Sequence, residues 1–266
     1  MQVQRVDAAD DPRLDDYRDL KRRSGDAHVV VESRAVVERL VDAPCTVRSV
    51  LVTPALADEF AVVGARRGAP VYVVEPDVMA TLAGYDVHRG VLAAVDRPHM
   101  PSLTDVLATA RRLVVLEGSN DLENIGVVAR SARALGIDAL VLDPTCADPF
   151  ARRSVRVSMG ELLRLPVVRC TTWPGPLDDM AAAGFAVWAL TPRASAQSLV
   201  EVLRDPDANP ARIALLAGAE GPGLTDAALA RVRHHVRIPM HHAVDSLNLG
   251  HALAIAMAAV SPAVDG

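Results

Sequence analysis

Along the chain, short runs of Val, Leu, Ile and Ala alternate with stretches whose apolar residues recur at helical spacing. That alternation predicts strands followed by helices. Residues 1–27 are polar, with an amphipathic helix expected over 14–23 and a turn at Ser24-Gly25-Asp26. A compact unit follows: strands over 28–32, 47–53, 71–75 and 90–95, with helices over 33–41, 57–67 and 76–83 between them. This reads as a small α/β sandwich. Asp96-Arg-Pro-His-Met-Pro101 carries two prolines and no periodicity, which places the domain boundary there. The expected division is 1–98 as a front α/β domain, 99–110 as linker and 111–266 as a second domain.

The second domain opens with a fully apolar strand over 113–116, of the kind buried on both faces of a parallel sheet. Helices are expected over 124–135, 177–183 and 195–203, and strands over 139–142, 167–170, 186–190, 212–217 and 235–240. A last helix, apolar nearly all round, runs to Val260. Repeated βα units of this length predict an α/β domain with a mostly parallel sheet covered on both faces.

Composition narrows the function. Half of the 266 residues are hydrophobic and 23% are charged, an ordinary balance for a globular chain. The net charge of −5 supplies no global field for gathering nucleic acid, so any such binding rests on local arginines. Lys21 is the only lysine. Cys45, Cys146 and Cys170 form no CxxC pair, which argues against a disulfide framework or a zinc site and fits a reducing compartment. The acidic first residues do not resemble a signal peptide, and the longest apolar run, 247–260, is too short for a bilayer. A cytoplasmic location is expected.

Three segments could carry chemistry. Gly218-Ala-Glu-Gly-Pro-Gly223, between strand and helix, would let backbone amides approach a ligand, or would form a plain tight turn. Its order differs from the dinucleotide fingerprint. Asn124 and Arg130 fall on one expected helix, where Asn124 is either a cap or a ligand contact and Arg130 lies near the same face. Ile238-Pro-Met240 leads into Ser246-Leu247-Asn248, where Ser246 reads as an N-cap and Asn248 as a buried polar group needing partners.

Together these segments resemble the SpoU/TrmH-type RNA 2′-O-ribose methyltransferases of the SPOUT superfamily. Asn124-Ile-Gly126 with Arg130 is similar to the first family motif. Gly218 to Leu224 is similar to the second, and Ile238-Pro-Met240 with Ser246-Leu-Asn248 to the third. The likeness covers about residues 111–260. More weakly, the front domain resembles a small ribosomal-protein-like RNA-binding module, through Val31-Glu32 and His88-Arg89-Gly90. The resemblance implies a C-terminal α/β-knot domain, trefoil-knotted, and a homodimer whose site is completed across the interface. It implies S-adenosyl-L-methionine held near Ala217, Gly218, Gly223, Ile238, Met240 and Leu247. Arg130 would activate the ribose hydroxyl by holding the substrate phosphate, oriented by Asn124 and Asn248, with Glu220 and Ser246 fixing the surrounding loops. The substrate expected is ribosomal RNA, with transfer RNA as alternative. An inactive RNA-binding or assembly factor and a nucleotide-dependent oxidoreductase stand as other classes.

Departures from the family pattern are His242 where glycine is frequent, Leu249-Gly250-His251 after the last asparagine, and Ser33 where glycine commonly follows the glutamate. His234, His235, His241 and His242 lack an accompanying carboxylate or cysteine pattern, so no metal is expected. Arg152, Arg153 and Arg156, with His88 and Arg89 in front, are the foremost RNA-backbone candidates. The groups Arg111/Arg112 and Arg231/Arg233/Arg237 come next.

Overall fold

The structure, a computed structural model, describes residues 3–20, 28–87, 89–205, 211–241 and 244–261. The chain divides into two compact units. One comprises Met1–His99 with Phe150–Arg164, the other Met100–Pro149 with Leu165–Gly266.

The first unit contains β1 (Val3–Arg5), β2 (His28–Glu32), α1 (Arg34–Arg39), β3 (Val47–Val52), α2 (Ala57–Arg67), β4 (Val71–Val73), α3 (Pro76–Ala83) and β5 (Val91–Asp96). Its described strands form one sheet in the order β1-β4-β3-β5-β2. β1, β4 and β3 run parallel, while β5 lies antiparallel to both β3 and β2. The runs read as strands are buried on both faces: Val50, Leu51, Val52 and the whole of 91–95 are sealed from solvent. Gly68 and Gly84 end α2 and α3 in the left-handed conformation, at φ 64° and 74°, where a glycine costs no steric strain.

The second unit begins with α4 (Leu103–Thr109), β6 (Arg112–Glu117), α5 (Leu122–Ala134) and β7 (Ala139–Leu142). The chain then contributes α6 (Arg152–Val157) to the first unit, and resumes the second with β8 (Val167–Arg169). It continues through α7 (Pro176–Ala182), β9 (Ala186–Leu190), β10 (Gln197–Ser198), α8 (Leu199–Val202), β11 (Ile213–Gly218), α9 (Asp226–Leu229), β12 (His234–Arg237) and α10 (Leu249–Val260). The described strands form one sheet in the order β10-β12-β9-β11-β6-β7-β8, parallel at every pairing. An apolar core between one face of the sheet and the helices packed on it includes Leu113, Val115, Val141, Val187, Leu216 and Met180. α10 packs on α5 and β11.

Several expectations change. The opening helix is only a 3-10 stretch, Pro12–Tyr17, started by the Asp11 carboxylate accepting from Arg13 N, and residues 21–27 lie outside the described set. β1 pairs with β4 although residues 1–27 read as polar without a strand; a three-residue edge strand carries too little periodicity to be seen. Residues 103–109, placed in the linker, form α4, capped by the Ser102 hydroxyl accepting from Asp105 N. Residues 150–164, expected in the second domain from their position in the sequence, belong to the first unit. The helix expected over 195–203 is split into β10 and the short α8.

Candidate active site

Parallel strands deliver their C-terminal ends to one edge of the sheet, and β9, β11 and β12 end there side by side. The chain leaves β11 through Gly218 and folds back at once. Gly223 N donates to Ala219 O at 3.0 Å, and the two residues form an isolated antiparallel bridge. A Cβ on Gly218 would sit 2.2 Å from the Gly223 carbonyl carbon, so only glycine permits this approach. Gly221 and Gly223 take φ values of 89° and 71°. The plain-turn reading of this loop therefore describes its backbone, and the backbone forms a wall of a cavity.

That cavity has a volume of about 490 Å³. Its lining comes from 190–192 at the end of β9, 217–223 at the end of β11, Val236 in β12, and 238–252 around the start of α10. Ala217, Gly218, Gly223, Ile238, Met240 and Leu247, the residues expected to hold a cofactor, all line it, as do Glu220, Ser246 and Asn248.

At the rim the three motifs meet in one hydrogen-bond network. Asn248 Nδ2 donates to Glu220 Oε1 at 2.6 Å and to Asn124 Oδ1 at 3.0 Å. Leu249 N donates to the same Glu220 oxygen at 3.1 Å. Asn248 Oδ1 accepts from Gly250 N and His251 N, which makes Asn248 the N-cap of α10. So Ser246 is not the cap, and Asn248 is an exposed residue rather than a buried one. Gly250 is needed at the first turn: a Cβ there would lie 2.7 Å from Val127 Cγ1 on α5.

Asn124 and Arg130 part company. α5 starts two residues before Asn124, capped by the Asp121 carboxylate accepting from Glu123 N at 2.7 Å, so Asn124 is not the cap. Six residues along a helix turn through about 600°, which leaves Arg130 roughly a third of a revolution from Asn124. Asn124 is buried; Arg130 is exposed, outside the cavity lining, and without a hydrogen bond or ion pair to any described residue.

Glu117, at the head of the segment that carries Asn124 and Arg130, is assigned no individual role by the sequence. It ends β6 opposite Gly218 and is 4% exposed. Its carboxylate accepts from Trp173 Nε1 at 2.6 Å, Thr225 Oγ1 at 2.6 Å and Thr225 N at 2.9 Å. Thr225 caps α9, so Glu117 anchors the far end of the glycine loop. The signal available was a lone carboxylate closing an otherwise apolar strand.

The arginine candidates are largely engaged in structure. Arg231 pairs with Asp178, Arg112 donates to Val260 O, and Arg237 donates to Ala196 O. Arg153 is exposed. Arg152 and Arg156 contact Glu32 in the first unit, with Arg89 bonded to Ser33; His88 and His242 lie outside the described residues. His235 pairs through Nε2 with Leu229 O, and burial lowers the pKa of His234. Among the described residues no three His, Cys, Asp or Glu side chains are grouped as a metal would need. No described helix is long and apolar enough to cross a membrane.

The SpoU rRNA methylase family model matches residues 111–258, which contain the whole of this site. The chain belongs to the SpoU rRNA methylase family. Relatives of this SpoU methylase include an uncharacterized tRNA/rRNA methyltransferase of Mycobacterium tuberculosis, 44% identical over 96% of this chain and 91% of that one. A 23S rRNA (guanosine(2553)-2'-O)-methyltransferase of Bacillus subtilis is 27% identical over 95% of this chain and 97% of that one. Among solved structures, an rRNA methyltransferase from Sinorhizobium meliloti superposes with a TM-score of 0.80 at 26% identity, covering 98% of each chain. An AdoMet-bound structure of an rRNA methyltransferase from the same organism gives 0.79 at 24% identity, again over 98% of each. The family's chemistry makes this SpoU methylase a methyltransferase acting on RNA.

Proposed function

We propose that this methyltransferase transfers a methyl group from S-adenosyl-L-methionine to a ribose 2′-hydroxyl, in ribosomal RNA. The observation that carries this reading is the joining of Asn124, Glu220 and Asn248 at the rim of the cavity behind Gly218. The cavity fits the donor: its volume of about 490 Å³ is that of a small-molecule site. Leu190, Val236, Ile238, Met240 and Leu247 offer apolar surface beside the backbone of 217–223. When bound, the donor supplies an already activated methyl on a sulfonium. The chain must then hold the hydroxyl in line and accommodate alkoxide charge as it develops.

Asn248 and Glu220 fix the cavity mouth, and Asn124 ties it to α5. Arg130, unengaged by any described residue, offers its guanidinium to a substrate phosphate, beside which the hydroxyl loses its proton more readily. Because Arg130 does not line its own chain's cavity, it serves the cavity of a second copy in a homodimer. Apolar side chains left exposed around α10, Leu247 and Ile255 among them, support that association. Two features support a trefoil knot. β12 lies inside the sheet between β9 and β10, and the chain returns from it to pack α10 on β11. Ribosomal RNA is preferred over transfer RNA on the B. subtilis relative, which is aligned over nearly its whole length.

The test is incubation of the protein with labelled donor and RNA from cells lacking the gene, followed by digestion to nucleosides. A 2′-O-methylnucleoside in the large ribosomal RNA is expected. Label on a base, or none despite donor binding, would remove the reading.

A further inference from the structure

The first unit holds a cluster that the methyl-transfer reading leaves unused. At the end of β2, the Glu32 carboxylate, 14% exposed, receives three partners. Tyr85 OH donates to Oε2 at 2.8 Å, Arg156 Nη1 lies 3.0 Å from Oε1, and Arg152 Nε lies 3.7 Å from Oε2. Arg152 is also hydrogen-bonded to the Tyr85 hydroxyl, and its guanidinium carbon stands 4.5 Å over the Tyr85 ring. Burial and the Glu32 carboxylate raise the Tyr85 pKa, so the hydroxyl keeps its proton and can donate. Next in the chain, Ser33 holds its backbone at φ 97°, and Arg89 Nη1 donates to its hydroxyl at 3.3 Å.

The arginines gathered here are not equivalent. Arg152 is enclosed, with 27% of its side chain exposed and three contacts to Glu32 and Tyr85. Arg156 is half exposed and touches Glu32 through one nitrogen, leaving the other donors of its fork uncommitted among the described residues. Arg89 is exposed and makes a single long bond. A carboxylate that fixes one edge of a guanidinium while the other edge faces solvent pre-orients it for a second anion.

We propose that Arg156 and Arg89 form a phosphodiester-backbone contact for RNA on the first unit. In it Glu32 is the positioning residue that orients Arg156, and Arg152 is a structural strut that does not touch RNA. This rests on the RNA-methyltransferase reading and divides between two roles the arginines that sequence alone groups together. Phosphate contacts carry no sequence information, so any structured RNA reports on them.

The experiment measures binding of the full-length protein to a hairpin RNA as a function of salt. Each phosphate contact contributes about 0.9 to the slope of log K against log salt on a duplex. Arg156→Ala and Arg89→Ala are each expected to lower the slope by about one, with donor binding and melting temperature kept. Arg152→Ala is expected to keep the slope and lower the melting temperature, and Arg152→Gln, neutral but still able to donate to Glu32, serves where that variant does not fold. Glu32→Gln, with its carboxylate lost and a hydrogen-bond acceptor kept, is expected to keep the slope but raise KM for RNA more than it changes kcat. Unchanged slopes in both Arg156→Ala and Arg89→Ala, with wild-type protein binding RNA normally, overturn the proposal alone. A reduced slope in Arg152→Ala, or in Arg152→Gln, overturns the division of roles. Wild-type protein with no salt-dependent affinity for RNA overturns this proposal and the reading beneath it.

Discussion

Asn248 donates through Nδ2 to Glu220 at 2.6 Å while its own oxygen caps α10, so one side chain closes the cavity rim and starts the helix behind it. Replacing it by alanine removes both. The loss of the cap alone costs about 1 kcal/mol. Asn248→Ala is therefore expected to lower the melting temperature by several degrees and to abolish the stabilisation that the methyl donor confers on the wild type. Asn248→Asp, which sets two carboxylates face to face, should be worse than alanine. If both variants keep the donor-induced shift in a thermal melt, the rim network does not organise the cavity.

Arg130 offers the opposite case. Exposed and unengaged with any described residue, it contributes little to the fold, and Arg130→Ala should change stability by less than about 0.5 kcal/mol. Methyl transfer should fall by at least two orders of magnitude with donor affinity kept. Calorimetric titration of the donor beside a single-turnover assay separates the two. Weakened donor binding in a folded variant would count against the role given to this residue.

Glu117 is buried with two donors of Thr225 and the indole N–H of Trp173 upon it. Glu117→Ala strands those donors and is expected to cost on the order of 3 kcal/mol. The check is urea unfolding followed by tryptophan emission, since Trp173 should change its emission in the native baseline while buried Trp188 does not. An unaltered baseline and midpoint would show the anchor to be dispensable.

Ser33 sits at φ 97°, a conformation that suits glycine and strains any residue with a Cβ. Ser33→Gly should relieve strain of about 1–2 kcal/mol, less what the long Arg89 bond returns. A higher melting temperature is expected; a lower one would mean that the hydroxyl contact outweighs the backbone strain.

The three thiols are buried, and burial raises all of them, Cys170 to about 11 and Cys146 to about 12 from 9.0. A thiol pKa raised on folding favours the native state below the unfolded value and loses that contribution as pH climbs through the folded one. Native protein at pH 8 should thus resist alkylation, and stability should decline between about pH 9 and 12. Alkylation at pH 8 followed by mass spectrometry checks the first part; rapid labelling of Cys146 would contradict it.

Much of this was readable from residue pattern. The buried parallel strands announce themselves because all their positions are apolar, and Gly68 and Gly84 mark helix ends because left-handed backbone selects glycine. The cavity residues were legible only through the resemblance of three motifs to a known family, since the glycine loop by itself reads equally as a tight turn. Contacts made across the fold were not. Nothing local says that Glu117 meets Thr225 or that Glu32 meets Arg152, since sequence separation hides both pairs. Asn248 was misjudged because an all-apolar helix suggested burial at its start, whereas its side chain turns back along the backbone as a cap. Arg130 was misplaced by counting it onto the face of Asn124, which helical geometry does not allow.

Residues 150–164 complete a body whose other strands and helices end fifty positions earlier along the polypeptide. Gly160 belongs to that loan too: at φ 82° it lies so close to α1 that a Cβ would meet Val36 Cγ1 at 2.9 Å. Front halves therefore cannot be exchanged between relatives by one splice at the proline pair Pro98 and Pro101. A chimera joined there would ask one parent's β2 and α1 to receive the other parent's α6. Recombination that respects this architecture needs a second, matched exchange around 150–164, and homologues should inherit Glu32 and Arg156 as a linked pair.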